Sequence, residues 1–155
     1  MNVATSLHIR WMVRRDMPQV LDIESRSFDH PWCEDDFIRC LRQRNCIGMV
    51  IEHGDDNIVG FMIYELYKHE LRILNFAVRP DCRRRGVGRQ LVEKLRDKLS
   101  YQRRNRIAID VRAGNLAAQL FFRSCGFRAT NVYRDWYEDE SPPEDAYHFV
   151  YRYTE

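Results

Sequence analysis

The sequence predicts an α/β domain whose strands and helices follow the order β-α-α-β-β-β-α-β-α-β-β. Two observations support this prediction. Stretches with apolar residues at helical spacing alternate with short apolar or alternating runs, and Gly, Pro, Asn and Asp cluster between them. The length of 155 residues allows a sizeable core in one domain, and no repeat or linker divides the chain, so we expect a single domain over 1–155.

The first part of the chain predicts one strand and two helices. Loose apolar alternation over Leu7–Arg14 is typical of a half-buried strand. Asp16-Met17-Pro18 then supplies an N-cap with Pro in the first helical turn. An apolar helical stripe runs to Phe28 and resumes over Glu34–Arg44, after a break at His30-Pro31.

Three strands and a helix are predicted next. Cys46–Glu52 and Ile58–Tyr67 are strand-like, and the Gly- and Asp-containing segment between them indicates a hairpin. Leu71–Val78 follows as a third strand. Val87, Leu91, Val92, Leu95 and Leu99 then place one apolar face on a helix whose other positions are charged.

The last part of the chain predicts a buried strand, a helix and two final strands. Ile107–Val111 is the buried strand, and the helix over Asn115–Phe122 ends before Gly126, a residue suited to the position after a helix. The final strands, Arg128–Tyr137 and Ala146–Tyr153, are separated by the acidic, Pro-containing segment Glu138–Asp145, which we expect to be a mobile loop.

The charge balance argues against a nucleic-acid-binding protein. The formal net charge is +2, with 45% apolar and 31% charged residues, which is ordinary for a globular protein. A nucleic-acid-binding domain is expected to be strongly basic. The remaining alternative is that RNA binds to a local basic patch of seven arginines: Arg83, Arg84, Arg85, Arg89, Arg103, Arg104 and Arg106.

The cysteine content favours a reduced, intracellular protein. The five cysteines form no C-x-x-C pair and no cluster with the five histidines, so we expect no metal site. The N-terminal residues lack the basic segment and apolar core of a signal peptide, and no apolar run is long enough to span a bilayer. We therefore expect a cytoplasmic protein with no membrane partner.

The most informative segment runs from Asn75 to Arg89, where an apolar strand passes through a basic turn with two glycines into a helix. A helix N-terminus offers unpaired N–H groups and positive dipole charge, glycines let an anion approach closely, and arginines add forked donors. The turn lacks the third glycine of a dinucleotide fingerprint and the Gly-Lys-Ser/Thr of a P-loop. It predicts a diphosphate site of another kind, and the alternative is a solvated basic turn.

The spacing Arg83-x-x-Gly86-x-Gly88 resembles the signature of the GCN5-related N-acetyltransferases (GNAT family). The predicted element order is also that of this family. Four further segments resemble its bacterial branch of ribosomal-protein-alanine N-acetyltransferases: His30–Glu34, Asp110–Asn115, Ser124–Phe127 and Trp136-Tyr137. The resemblance implies a central mixed, mostly antiparallel, twisted sheet of about seven strands flanked by four helices.

The same resemblance implies acetyl-coenzyme A as cosubstrate. The main chain of the predicted strand Leu71–Val78 would bind the pantetheine arm in the way that a neighbouring strand binds in a sheet. The arginine turn would bind the pyrophosphate. Asn115 would contact the cofactor by its side chain, although an N-cap role is an equal alternative. The implied cofactor-binding residues are Phe76, Ala77, Val78, Arg83, Arg84, Arg85, Gly86, Val87, Gly88, Arg89 and Asn115.

Asp110 occupies the position where the family places a Glu, so the resemblance makes it the candidate general base. Because Asp is one methylene shorter, we expect it to reach the amine through a water molecule. The alternative is an ion pair with Arg106 or Arg112. A main-chain N–H of the strand carrying Phe76 to Val78 would polarise the thioester carbonyl.

The family commonly has a Tyr as proton donor where this chain has Phe122. A thiol of pKa about 8.5 is a tolerable leaving group without an acid. Tyr133, Tyr137 and, less favourably, Cys125 are the substitute donors that the sequence offers.

Large aromatic residues are the candidates for binding the acceptor. Trp32, Tyr133, Trp136 and Tyr137 lie in segments that would line a groove for an extended N-terminus, and the alternative for each is core packing. The acidic segment Glu138–Asp145 would attract a basic peptide, or it is a solvated surface.

The leading hypothesis is therefore an acetyl-coenzyme A-dependent acetyltransferase acting on protein N-termini, with a ribosomal-protein-like acceptor. An acetyltransferase for small amines or lysine side chains is the first alternative, because the acceptor half of the family varies. A cofactor-binding module without efficient catalysis is the second alternative, since Phe122 replaces the expected acid.

Overall fold

The computed structural model describes residues 6–154 and confirms the predicted order of seven strands and four helices. The strands are β1 (Leu7–Trp11), β2 (Cys46–His53), β3 (Ile58–Leu66), β4 (Glu70–Val78), β5 (Arg106–Arg112), β6 (Arg128–Tyr137) and β7 (Glu144–Arg152). The helices are α1 (Met17–Ser27), α2 (Glu34–Leu41), α3 (Val87–Arg96) and α4 (Leu116–Ser124).

The strands form a mixed sheet in the order β1-β2-β3-β4-β5-β7-β6. β4 and β5 pair in parallel, from Glu70–Arg106 to Ile73–Ile109. The ladders β1–β2, β2–β3, β5–β7 and β6–β7 are antiparallel. The predicted α/β class with a mixed, mostly antiparallel sheet and four helices is thus confirmed.

The described chain forms two compact units. The first unit comprises residues 6–66 with Leu74–Lys94, and the second comprises Tyr67–Ile73 with residues 95–154. The expectation of a single domain over 1–155 stays a prediction.

The first unit is organised around an apolar cluster built by the two helices after β1 and by strands β2 to β4. The helical stripe predicted for α1 is buried there, and α2 contributes a fully buried Phe37. The buried members are Met17, Val20, Ile23, Phe37, Val50, Ile58, Phe61, Ile63 and Ala77. One polar residue of α1, Glu24, is also buried, with 2% of its surface exposed.

The second unit has an aromatic core. Phe122 on α4 contacts Phe121 and Phe127 in edge-to-face geometry, with ring centroids 5.0 and 5.2 Å apart. Phe127 in turn lies 5.7 Å from Tyr151 on β7. Ile107, Ile109 and Val111 of β5 are buried as predicted for that strand.

Several predicted boundaries differ from the structure by one to three residues; α2, for example, ends at Leu41 and not at Arg44. The first strand ends at Trp11 and not at Arg14, because Arg14–Asp16 form a short 3-10 turn. The carboxylate of Asp16 accepts the main-chain N–H of Val13 at 2.8 Å and pairs with Arg10, which turns the chain out of the sheet. Asp16 therefore stands at the N-cap position of α1 as predicted, but its side chain caps the preceding turn.

At the other end of the chain, β7 begins at Glu144, so the last two residues of the predicted acidic loop belong to a strand. Among residues 6–154, no helix is long and apolar enough to cross a membrane.

Candidate active site

The arginine turn of the first unit contains two left-handed residues just before a helix. After β4 the chain makes a short 3-10 turn over Pro80–Cys82, and α3 begins at Val87. Arg84 and Gly86 both adopt left-handed backbone angles, with φ of 63° and 85°. Main-chain N–H groups at the start of a helix are suited to binding an anion.

The arginines of this loop differ in what they already contact. Arg83 donates to the main-chain oxygen of Val78 and to the hydroxyl of Ser27, both at 3.2 Å. It therefore ties the loop to the end of β4 and to α1. Arg84 and Arg85 have exposed side chains. Positive charge beside a helix N-terminus is the arrangement that attracts a phosphate.

A buried polar network joins α1, the connection after it, and β4. Glu24 accepts the side-chain amide of Asn75 at 2.7 Å and the main-chain N–H of Trp32 at 2.9 Å. Asn75 in turn accepts the main-chain N–H of Phe76 at 2.8 Å. Burial raises the pKa of Glu24, and the hydrogen bonds from Trp32 and Asn75 only partly oppose that effect. The network fixes the backbone at the first of the three residues predicted to bind pantetheine.

Trp32 is partly a core residue. Its ring meets Phe37 edge-to-face at 5.1 Å and packs against the apolar cluster of the first unit. Its side chain is half-buried, so packing accounts for its position and an acceptor contact stays a prediction.

Asp110 of the second unit is paired with a histidine. Asp110 on β5 stands directly opposite His148 on β7, and its Oδ1 lies 2.6 Å from His148 Nδ1. Both side chains are partly buried, with 27% and 16% exposed. The alternative of an ion pair with Arg106 or Arg112 is wrong, because Arg106 pairs with Glu70 and Arg112 pairs with Asp139 and Glu144.

Two of the predicted acceptor residues meet beside this pair. The ring of Tyr133 lies 5.5 Å from that of His148 and 5.0 Å from that of Trp136. The β6–β7 register shifts between Tyr133 and Tyr137, and Asp135 has a φ of 53°. Such a bulge redirects side chains, and Trp136 remains 54% exposed.

The acidic segment after β6 is engaged within the second unit. The guanidinium of Arg112 bonds Asp139 and Glu144 and lies 3.9 Å from the centre of the Tyr137 ring. Glu144 also accepts the N–H of Gly114 at 2.7 Å. Asp139 and Glu144 are thus bonded within their own chain, and the mobility of this segment and its attraction for a basic peptide stay predictions.

Tyr137 is a poor candidate for the proton donor. Burial, and then the nearby charge of Asp110, raise the pKa of Tyr137 to about 12. Its hydroxyl lies 3.5 Å from the main-chain oxygen of Asp110. Cys125, the weaker candidate, is buried at 2% exposure.

Asn115 caps α4. Its side-chain oxygen accepts the N–H of Ala118 at 3.1 Å, as the capping prediction requires. The second predicted role, a contact with the cofactor, stays a prediction.

Two residues of these sites were missed from the sequence. Glu24 was visible as a carboxylate on the apolar stripe of α1, which indicates a buried hydrogen-bonding role. No local feature of the sequence indicated a role for His148, because its pairing with Asp110 depends on the β5–β7 register. Within residues 6–154, no group of three or more His, Cys, Asp or Glu side chains is arranged to hold a metal ion.

The chain is similar to known acetyltransferases over most of its length. The model of the Acetyltransferase (GNAT) family matches residues 17–127. The ribosomal protein bS18-alanine N-acetyltransferase of Salmonella typhimurium is 34% identical over 131 residues, which cover 84% of this chain and 87% of that protein.

Two solved structures have the same fold as this chain. The ribosomal-protein-S18-alanine N-acetyltransferase from Escherichia coli superposes with a TM-score of 0.82 at 28% identity, covering 96% of this chain and 95% of that one. Ard1 from Thermoplasma volcanium superposes with a TM-score of 0.84 at 26% identity, covering 97% and 99% of the two chains. The chain is therefore an acetyltransferase of the GNAT family.

Proposed function

We propose that this enzyme transfers an acetyl group from acetyl-coenzyme A to the N-terminal α-amine of a protein, with a ribosomal-protein-like acceptor. The observation that carries the proposal is the backbone of the arginine turn, where left-handed Arg84 and Gly86 precede the N-terminus of α3. The names of the Salmonella and Escherichia relatives support the choice of an alanine N-terminus as acceptor.

The cofactor proposal uses the elements of the first unit. The diphosphate binds the N–H groups at the start of α3 and the loop arginines, with Gly86, Val87, Gly88 and Arg89 completing the turn. The pantetheine arm bonds the main chain of Phe76, Ala77 and Val78. A Cβ at Gly60 would lie 3.0 Å from the main-chain oxygen of Ala77, so β3 packs tightly against this part of β4.

The chemical step is direct attack of a neutral amine on the thioester. An α-ammonium group has a pKa of about 7.7 to 8.0, so a base assists by removing its proton. Asp110 is part of this base. It takes up the proton through an intermediary, and a bound water molecule is the simplest choice. The thiolate leaves without a side-chain acid, since Phe122 is buried at 3% exposure and cannot donate a proton.

The test is an acetylation assay with paired peptides. Each peptide begins with Ala, carries one internal Lys, and is made with either a free or a blocked N-terminus. Mass spectrometry locates the acetyl group. We expect acetylation of the free N-terminus and none on the blocked peptide.

Acetylation of lysine on both peptides, or of polyamines alone, would support the small-amine and lysine alternative instead. Binding of acetyl-coenzyme A without turnover of any amine would favour the non-catalytic module. A steep salt-dependent affinity for RNA that coenzyme A does not compete away would point to the arginine patch as a separate site.

A further inference from the structure

Asp110 and His148 form a rigid pair. They are directly opposed residues of adjacent antiparallel strands, so the β5–β7 ladder fixes their backbones. The 2.6 Å separation of Asp110 Oδ1 and His148 Nδ1 is that of a short, charge-assisted hydrogen bond. A surface ion pair between flexible side chains has no such constraint.

The pairing selects one tautomer of the imidazole. An ionised carboxylate only accepts hydrogen bonds, so Nδ1 of His148 must carry the proton that Asp110 receives. A neutral imidazole has one N–H, which leaves Nε2 with its lone pair as the basic nitrogen. The carboxylate also stabilises the imidazolium that forms when Nε2 accepts a proton.

The imidazole lies among residues suited to binding an acceptor. Tyr133 is the aromatic neighbour of His148, and Trp136 extends the same cluster to an exposed position. Two other groups interact with Asp110: the hydroxyl of Tyr137 lies 3.5 Å from its main-chain oxygen, and the positive charge of Arg72 on β4 interacts electrostatically with its carboxylate. The basic nitrogen is therefore close to the side chains that we propose for the peptide N-terminus.

We propose that His148 is a catalytic residue whose Nε2 takes the proton from the attacking amine, with Asp110 as the residue that positions it. This inference rests on the proposed acetyl transfer and replaces water as the intermediary of Asp110. Imidazole accepts protons near neutral pH, whereas a carboxylate is a far weaker base, so the histidine is better matched to an α-ammonium group.

His148 serves as a temporary proton acceptor during acetyl transfer. The α-ammonium group first gives one proton to Nε2 of His148. The neutral amine nitrogen then forms a bond to the thioester carbon and releases its second proton to solvent. The C–S bond breaks, and the thiolate keeps its electron pair and takes a proton from solvent. The imidazolium, held by Asp110, returns its proton to solvent before the next turnover.

The test compares His148→Gln with Asp110→Asn, the double variant and a matched control. The control is His8→Gln, which disrupts another histidine–carboxylate pair, with Nδ1 of His8 lying 3.3 Å from Glu52. We expect His148→Gln to lower kcat on the Ala peptide about 100-fold or more, with an unchanged KM for acetyl-coenzyme A. The control retains the wild-type kcat.

The kcat of the double variant shows whether Asp110 and His148 act as a coupled pair or independently. We expect Asp110→Asn also to lower kcat, and the double variant to be no slower than His148→Gln, because Asp110 acts only through the imidazole. The acid limb of the kcat–pH profile disappears in His148→Gln. In His148→Gly, added imidazole restores part of the activity, while it does nothing for Asp110→Asn.

Each outcome decides the inference. A His148→Gln variant with wild-type kcat and pH profile overturns it and leaves the proposed acetyl transfer intact. A wild-type enzyme that acetylates no peptide N-terminus overturns the proposed function and this inference with it. If His148 variants fail to fold, imidazole NMR of the wild-type enzyme still decides, because protonation of Nε2 and not Nδ1 in the neutral ring contradicts the proposal.

Discussion

The carboxylate of Glu24 on α1 accepts a 2.7 Å hydrogen bond from the side-chain amide of Asn75 on β4. Its other oxygen accepts the main-chain N–H of Trp32. One buried residue thus holds both the connection after α1 and the strand proposed to bind pantetheine. Buried polar groups with all partners in place fix local geometry, and they are costly to disturb.

The first prediction concerns the loss of this carboxylate. Glu24→Gln keeps the shape of the side chain but offers one acceptor oxygen to two donors, so one buried donor is left without a partner. We expect the free energy of unfolding to fall by about 1 to 3 kcal/mol. Urea unfolding measures the change. Asp22→Asn, at an exposed position of the same helix, is the control and should change stability by less than about 0.5 kcal/mol.

The pH dependence of this difference has a defined sign. Because burial raises the pKa of Glu24 above its ordinary 4.5, the folded protein binds a proton there more tightly than the unfolded chain. The contribution of Glu24 to stability is full below pH 4.5 and declines as the pH rises through the raised pKa. The advantage of the wild type over Glu24→Gln should therefore shrink across that interval. An advantage that grows with pH would contradict the assignment.

The second prediction separates strain from phosphate binding at Arg84. Its φ of 63° is unfavourable for a residue with a Cβ, so Arg84→Gly should raise the free energy of unfolding by about 1 kcal/mol. The same change removes a charged donor, and we expect the Kd for coenzyme A to rise about tenfold. Calorimetric binding and urea unfolding provide the two measurements.

Two matched variants test this interpretation. Arg84→Lys keeps the charge and the strain, so it should bind coenzyme A more tightly than Arg84→Gly and gain no stability. Asp56→Gly relieves a similar left-handed residue, with φ of 58°, in the β2–β3 turn. It should leave the affinity for coenzyme A unchanged, and a loss of affinity there would mean that Arg84→Gly acts indirectly.

The third prediction distinguishes the two roles of Asn115. Asn115→Ala removes the cap of α4 and should cost about 1 kcal/mol of stability, whereas Asn115→Ser keeps a capping oxygen and should recover most of it. If Asn115 also contacts the cofactor, both variants weaken coenzyme A binding. A serine variant with wild-type stability and affinity would leave capping as the sole role.

Local features of these sites were predictable from the sequence, and features that depend on register were not. The cap at Asn115 follows from its place before an apolar helical run, and the anion-binding turn follows from glycines between a strand and a helix. Both rest on neighbours within a few positions along the chain. The structure confirms the cap and the strand–turn–helix order around the turn.

The partner of Asp110 illustrates the other case. Arg106 and Arg112 were the alternative partners because they lie near Asp110 in the sequence, yet His148 is 38 positions away and meets it through strand pairing. A shift of one residue in that ladder would turn His148 to the opposite face of the sheet. The left-handed angle of Arg84 was likewise invisible, since nothing in the residue type demands it.

The last prediction concerns the proton that the departing thiolate takes. With its pKa raised to about 12 by burial and by Asp110, the phenol of Tyr137 holds its proton too tightly to give it readily to a thiolate of ordinary pKa about 8.5. We therefore expect Tyr137→Phe to change kcat by less than about threefold. Tyr137→Ala should be more harmful, because the guanidinium of Arg112 lies 3.9 Å above this ring. A 100-fold loss of kcat in Tyr137→Phe, at unchanged stability, would show that Tyr137 donates the proton to the thiolate, a role that Phe122 cannot fill.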